Sequence, residues 1–128
     1  MALFNDADAL GAALGEIDNL EESLLTALEL THHGYSAELR FTHLRLGRPV
    51  PETSLVTVAM EGVSALHLTG GLSESMIQHP KQINWGLSEV AMVSAYSAGP
   101  DIGLLIAWES KREIRVEAAR VRFSASPV

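Results

Sequence analysis

The residues of this chain best suited to hold a metal ion or move protons near neutral pH are five histidines: His32, His33, His43, His67 and His79. His32 and His33 are adjacent, so on a strand their rings point to opposite faces and cannot share one ion without a turn. His43 stands where the alternation of apolar and polar residues changes phase. His67 shares a strand face with Ala65 and Thr69, and His79 precedes Pro80 in a long aperiodic stretch. No HxH or HExxH spacing links them, so a metal or acid–base site has to be assembled from separate strands. Structural or merely exposed histidines are the plain reading. The sharper one is a pocket holding two or more of His43, His67 and His79 beside a carboxylate.

Other chemistry leaves no trace. The chain has no cysteine, which removes disulfides, thiolate metal sites and a cysteine nucleophile together. There is no GxSxG elbow, P-loop or GxGxxG fingerprint, and Gly70-Gly71 alone signals only a turn. Glu21 and Glu22 are sequence neighbours at a segment start and read as a solvated junction rather than an acid–base pair. No cofactor or metal is expected, and an enzyme is the less favoured reading.

The elements that must position these residues follow from composition and period. With 128 residues, 47% of them hydrophobic, the chain suits one domain, residues 1–128, with a single core. We expect an acidic helical segment over 1–22 and a β-sheet body over 23–123. Asn5 is a helix cap, Asp6 and Asp8 suit the positive end of the dipole, and Gly15 suits the stop. Leu3, Leu10, Leu14 and Ile17 form its stripe, and Gly11 costs about 1 kcal/mol relative to alanine, so the helix has to dock.

From Leu24 the period becomes two. A first strand ends at the turn-like His32-His33-Gly34-Tyr35-Ser36. Ala37, Leu39 and Phe41 then share a face, and the phase change after His43 predicts a β-bulge. Residues 47–52 contain two prolines and read as a loop. Leu55–Met60 and Val63–Thr69 follow, either as a hairpin turning at Glu61-Gly62 or as one strand with a glycine bulge. The stretch 72–86 has no period and is long enough to lid a pocket. Val90 to Tyr96, then Ile102, Leu104, Ile106 and Trp108, then Ile114 and Val116 make a closing meander. A second phase change, at Ala118-Ala119, predicts a second bulge. The expected fold is mainly β: a curved antiparallel sheet or small sandwich of about seven strands with a short N-terminal helix.

Charge is uneven. Residues 1–38 hold eight acids and no lysine or arginine, a local charge of −8, whereas residues 39–128 hold nine bases against eight acids. Such an end repels phosphate backbones and steers a basic partner, so nucleic acid is disfavoured. Arg115, Arg120 and Arg122 lack interleaved aromatics and read as a solvated strand face. Trp108 continues a core face, Trp85 reads as core packing, and Tyr35 is as well placed for a partner contact as for packing. No secretory signal or membrane-spanning run is present, so a cytoplasmic protein is expected.

The run Leu55-Val56-Thr57-Val58-Ala59-Met60-Glu61-Gly62-Val63-Ser64-Ala65-Leu66-His67-Leu68 joins two β-rich segments through a Gly-Val step. It resembles a pattern of small β-rich bacterial immunity proteins that neutralise polymorphic toxins, and residues 23–123 are similar in order to that group. The resemblance implies a non-enzymatic inhibitor that binds a cognate toxin. Taken with the acidic end, the expectation is a protein-binding domain contacting a basic toxin domain through Asp18, Glu21, Glu22, Glu29 and Tyr35. A small β-fold enzyme or ligand-binding protein with a histidine-containing pocket is the alternative.

Overall fold

The computed structural model describes residues 2–70, 89–109 and 111–127. His79, Trp85 and the whole stretch 72–86 lie outside the described residues. The order is β1 (Ala2–Phe4), α1 (Ala7–Gly15), β2 (Leu24–Thr31), β3 (Ser36–Thr42), β4 (Leu44–Arg45), β5 (Arg48–Pro49), β6 (Leu55–Thr69), β7 (Val90–Ala98), β8 (Asp101–Trp108) and β9 (Glu113–Ser126). Among the described residues, seven strands form one antiparallel sheet in the order β2-β3-β6-β9-β8-β7, with β1 also on β9. The mainly β fold expected from the alternation is therefore present.

Two strands organise it. β6 has 15 residues and β9 has 14, against the usual length of about five to six. They pair along their whole length, from Leu55↔Ser126 to Thr69↔Glu113. β3 and β2 extend one half of this ribbon from Leu55–Glu61, while β8 and β7 extend the other half from Glu113–Ala118. β1 sits on β9 at Val121–Phe123, in the half that carries β3. Between the halves both strands change phase at the same level: Met60 and Val121 are buried, Ala119 and Gly62 are exposed, and Ala118 is buried again. Gly62 has φ +69, and β6 carries a register shift between Val63 and Ala65. A bend at this point lets one pair of strands serve two half-sheets over one core.

That core is continuous. Leu39, Phe41, Val56 and Val58 from one half and Leu104, Ile106, Ile114 and Val116 from the other belong to one buried cluster, with Leu10 and Leu14 of α1. The helix packs on β7, where a Cβ placed on Gly11 would come to 4.0 Å from that of Ala95. The two outer strands of the order also meet at one point. Glu22 donates its N–H to Val90 O, and Val90 donates to Ser23 O, both at 2.8 Å.

Several local expectations are corrected. The helix cap is Asp6, whose carboxylate accepts from the N–H groups of Asp8 and Ala9, because it stands one residue nearer the first turn than Asn5. Gly15 does not stop the helix in a left-handed conformation; it remains helical and Glu16 is the C-cap. Leu3 lies on β1 and is exposed. Glu61-Gly62 is not a hairpin turn but lies inside one strand, and the phase change at His43 is no bulge. There the chain leaves the large sheet, and Leu44–Arg45 pairs with Arg48–Pro49 in a separate two-stranded ribbon. At Ala118-Ala119 the phase change occurs as expected, with the register shift recorded on the facing strand. On β7 an irregularity between Val90 and Met92 turns Met92 outward and gives its inward place to Val93.

Gly62→Ala is expected to destabilise the fold by about 1–3 kcal/mol, since it puts a Cβ at a left-handed position, 3.0 Å from the Cβ of Ala119. Gly15→Ala, with nothing within 4 Å, should instead stabilise it by about 0.5–1 kcal/mol as an ordinary helix substitution. Urea unfolding of the two variants beside the parent checks both signs.

Candidate functional site

The chain between α1 and β2 is where the acidic residues are placed, and its backbone is unusual. Asp18, Asn19 and Leu20 all have positive φ, at 61°, 52° and 52°, and Glu22 follows at 61°. Left-handed backbone disfavours L-residues and is tolerated best by Asp and Asn, so Leu20 needs outside support. It has that support: Leu20 is fully buried in the core, and the turn is closed by Leu20 N–H to Ile17 O and Glu21 N–H to Asp18 O. Ser23, also fully buried, ties the turn to the sheet through three bonds. Its N–H donates to Leu20 O, its carbonyl accepts from Val90, and its Oγ accepts from Leu44 N–H at 3.1 Å.

Side chains complete the anchor. Asp18 Oδ2 accepts from Arg45 Nε and Nη2, at 3.0 and 2.8 Å, and lies 3.0 Å from His43 Nε2. The carboxylate only accepts, so Nε2 donates, and Nδ1 has the Thr53 hydroxyl as its partner at 2.7 Å. His43 is 1% exposed. Bonds from Arg45 first, and then from His43, hold the Asp18 carboxyl below the usual carboxylate range. Asp18, His43 and Thr53 thus have the residue types of a nucleophilic triad without the access one needs. A general base must reach the substrate, and this ring is sealed with both nitrogens occupied. What it does is join the left-handed turn, the end of β3 and the 50–54 loop, whose Ser54 carbonyl accepts from His43 N–H.

The remaining histidines do not join it. His67 is exposed on β6 opposite Arg115, in the half of the sheet that carries β8, whereas His43 follows β3 in the other half. His32 and His33 lie at the β2–β3 tip with φ of 52° and 57°. Among the described residues no three His, Cys, Asp or Glu side chains form a metal-binding group, and no helix is long and apolar enough to cross a membrane.

Of the five residues proposed for a partner, Asp18 is held by Arg45 and His43, and Glu29 accepts from Arg40 Nη2 at 2.6 Å. Glu21, Glu22 and Tyr35 are exposed, Tyr35 at 69%. They are not together. Glu21 and Glu22 precede β2 and Tyr35 follows it, and the eight residues of β2 span roughly 25 Å. The basic face is internally matched too: Arg120 and Arg122 both donate to Glu61, which is held below its usual range by those two bonds. Just across the bend the Tyr96 ring lies over Gly103, where a Cβ would overlap it, and its hydroxyl donates to Glu117 at 2.8 Å. Burial, and then that carboxylate, push the Tyr96 hydroxyl up to about 12.

Sequence reasoning did not foresee the Ser23 junction or the sealing of His43. The Asp18-Asn19 pair, two residue types that tolerate left-handed backbone, is the signal that could have pointed to the turn, in place of the helical segment expected over 1–22.

A carboxyl whose folded value is lowered binds fewer protons folded than unfolded, so its contribution is present above its ordinary value of 3.8 and is lost as pH falls through the lowered one. In urea titrations over about pH 5 to 2, the parent should lose stability more steeply than Asp18→Asn. Parallel curves would show that the anchor contributes nothing in that range.

No protein-family model matches this chain, and no curated protein matches it. Among solved structures, the chain is similar to a protein described as "Crystal structure of an uncharacterized protein from Neisseria gonorrhoeae". That likeness has a TM-score of 0.56 and 12% identity, and covers 81% of this chain and 91% of the other. At that identity it is a likeness of fold alone.

Proposed function

We propose that this chain is a non-enzymatic protein-binding domain, an immunity-type inhibitor that covers a basic toxin domain in the cytoplasm. One observation carries the reading. Every acid on β2, β3, β6, β8 and β9 before residue 109 or after residue 112 has a partner within the chain. Glu29 and Glu38 meet Arg40, Glu61 meets two arginines, Asp101 meets Ser64, Glu113 meets Arg115 and Glu117 meets Tyr96. Glu21 and Glu22 have none among the described residues; the exposed Asp8, Glu16 and Glu52 share this, and what sets Glu21 and Glu22 apart is that they are adjacent.

Their position supports the same reading. They are adjacent and exposed on backbone fixed by the bonds to Val90, so they act as a fixed pair of charges rather than as a mobile tail. A rigid exposed acidic pair steers a cationic surface and adds mainly to the association rate. A toxin that acts on nucleic acid needs a basic cleft, which is complementary to such a pair. The absence of cysteine fits a reducing compartment. His43, the one buried histidine among the described residues, is committed to Asp18 and Thr53, and nothing in the geometry of the described residues favours the enzyme alternative.

The test is co-expression with the product of the neighbouring gene. The reading expects that product to be toxic alone, harmless with this chain, and recovered with it as a complex. Glu21→Lys with Glu22→Lys should slow association about tenfold or more at low salt, with the difference closing at high salt. A toxin that escapes inhibition and forms no complex contradicts the function, and an unchanged rate at both salts contradicts the role of the acidic pair.

A further inference from the structure

One exposed residue of this chain is not explained by the fold that carries it. Leu46 and Gly47 make the two-residue turn between β4 and β5, with φ of 55° and 76°. Two successive positive values are those of a type I′ turn, which favours Asn-Gly because leucine is strained in the left-handed conformation. The other non-glycine residues with positive φ each have a reason to hold it. Asp18, Asn19, His32 and His33 are of types that tolerate it, Leu20 fills the core, and Glu22 is bonded to Val90. Leu46 has none of these. It is 87% exposed, the highest value of any large hydrophobic residue among those described, and it tips a ribbon that pairs with no other strand.

Its place is beside the acidic pair. Leu44 N–H donates to Oγ of Ser23, the residue after Glu22, at 3.1 Å, and Arg45 donates twice to Asp18 Oδ2. Leu46 stands two residues past Leu44, roughly 7 Å of strand, whereas Tyr35 is at the far end of β2. A second leucine is at this end: Leu55, 40% exposed, follows Ser54, whose carbonyl accepts from His43 N–H. On the segments joined here, the carboxylates of Asp18, Glu21, Glu22 and Glu52 outnumber the guanidiniums of Arg45 and Arg48. The surface is acidic, with an apolar point held to it by the Asp18–Arg45 pair.

We propose that Leu46 is the apolar anchor of the partner-binding surface whose steering charge is Glu21 and Glu22, and that its occupant is an apolar pocket bordered by basic residues on a protein partner. The inference rests on the function proposed above and places the anchor at the opposite end of β2 from Tyr35. Residues held in disfavoured backbone conformations cluster where a chain meets its ligands, and they cost the free chain stability. An anionic lipid surface fits less well, because the chain has a net charge of −7 and carboxylates surround the tip. The two contributions separate kinetically. Exposed charge speeds the encounter, and a leucine buried in the complex slows its dissociation.

Leu46→Asn separates the contact from the fold, since Asn-Gly suits this turn better than Leu-Gly. The purified variant should unfold in urea at a higher midpoint than the parent. In complex with the product of the neighbouring gene it should dissociate about tenfold faster or more, because the burial of a leucine is lost, while its association rate stays that of the parent. A lower urea midpoint overturns the proposal, since the leucine then serves the fold. A variant complex that dissociates at the parent rate also overturns it and leaves the proposed function standing. A parent that forms no complex contradicts the function itself, and this proposal falls with it. Vesicles containing phosphatidylserine that bind the parent but not Leu46→Asn would assign the tip to a lipid surface and overturn the protein partner.

Discussion

The pairing of β6 with β9 through a bend is the constraint on which the rest of this structure depends. Strands of 15 and 14 residues cannot remain flat and also bury both of their ends against one core, because sheet twist carries the far ends apart. Gly62, with φ +69 and Ala119 close beside it, lets both strands turn at the same level. Each half then recruits its own hairpin, β2–β3 on one side and β7–β8 on the other. The inward residues of the two hairpins meet in one cluster, which α1 closes with Leu10 and Leu14.

The candidate site is a consequence of that bend. Once the half-sheets face each other, the start of β2 comes beside the start of β7, and Ser23 and Val90 can bond. The short connection from α1 is then forced through left-handed backbone, which is unfavourable for ordinary residues. Asp18 offsets this by drawing in Arg45 and the buried His43, and Leu20 does so by filling the core. Glu21 and Glu22 are carried outward on a segment whose position is set by interactions on both sides. Their exposure follows from the way the sheet closes.

Much of this was legible because a strand's period of two is rigid. The alternation located the strands, and the phase changes at His43 and Ala118-Ala119 marked real departures from regular pairing. The sequence did not say which kind of departure each was. A glycine after a glutamate serves a hairpin or a bend equally well, and only the matching length of β9 decides that Glu61-Gly62 lies within a strand. After His43 the chain leaves the sheet because Pro49 and Pro51 suit a short separate ribbon better than a ladder. The contacts of His43 with Asp18 and Thr53 join residues 25 and 10 positions away, and no local spacing encodes them. Asn5 and Asp6 are both good caps, so only the observed bonds choose between them.

If one bent sheet over one core is the right description, its halves have to unfold together. Native-state hydrogen exchange measures this directly through the amides of β3 and β8, which belong to different halves and touch the ribbon from opposite edges. The account predicts that the most protected amides of both strands, with those of β6 and β9 beside Gly62, share one opening free energy equal to that of global unfolding. Two separate values, with β7–β8 opening while β2–β3 stays protected or the reverse, would contradict it.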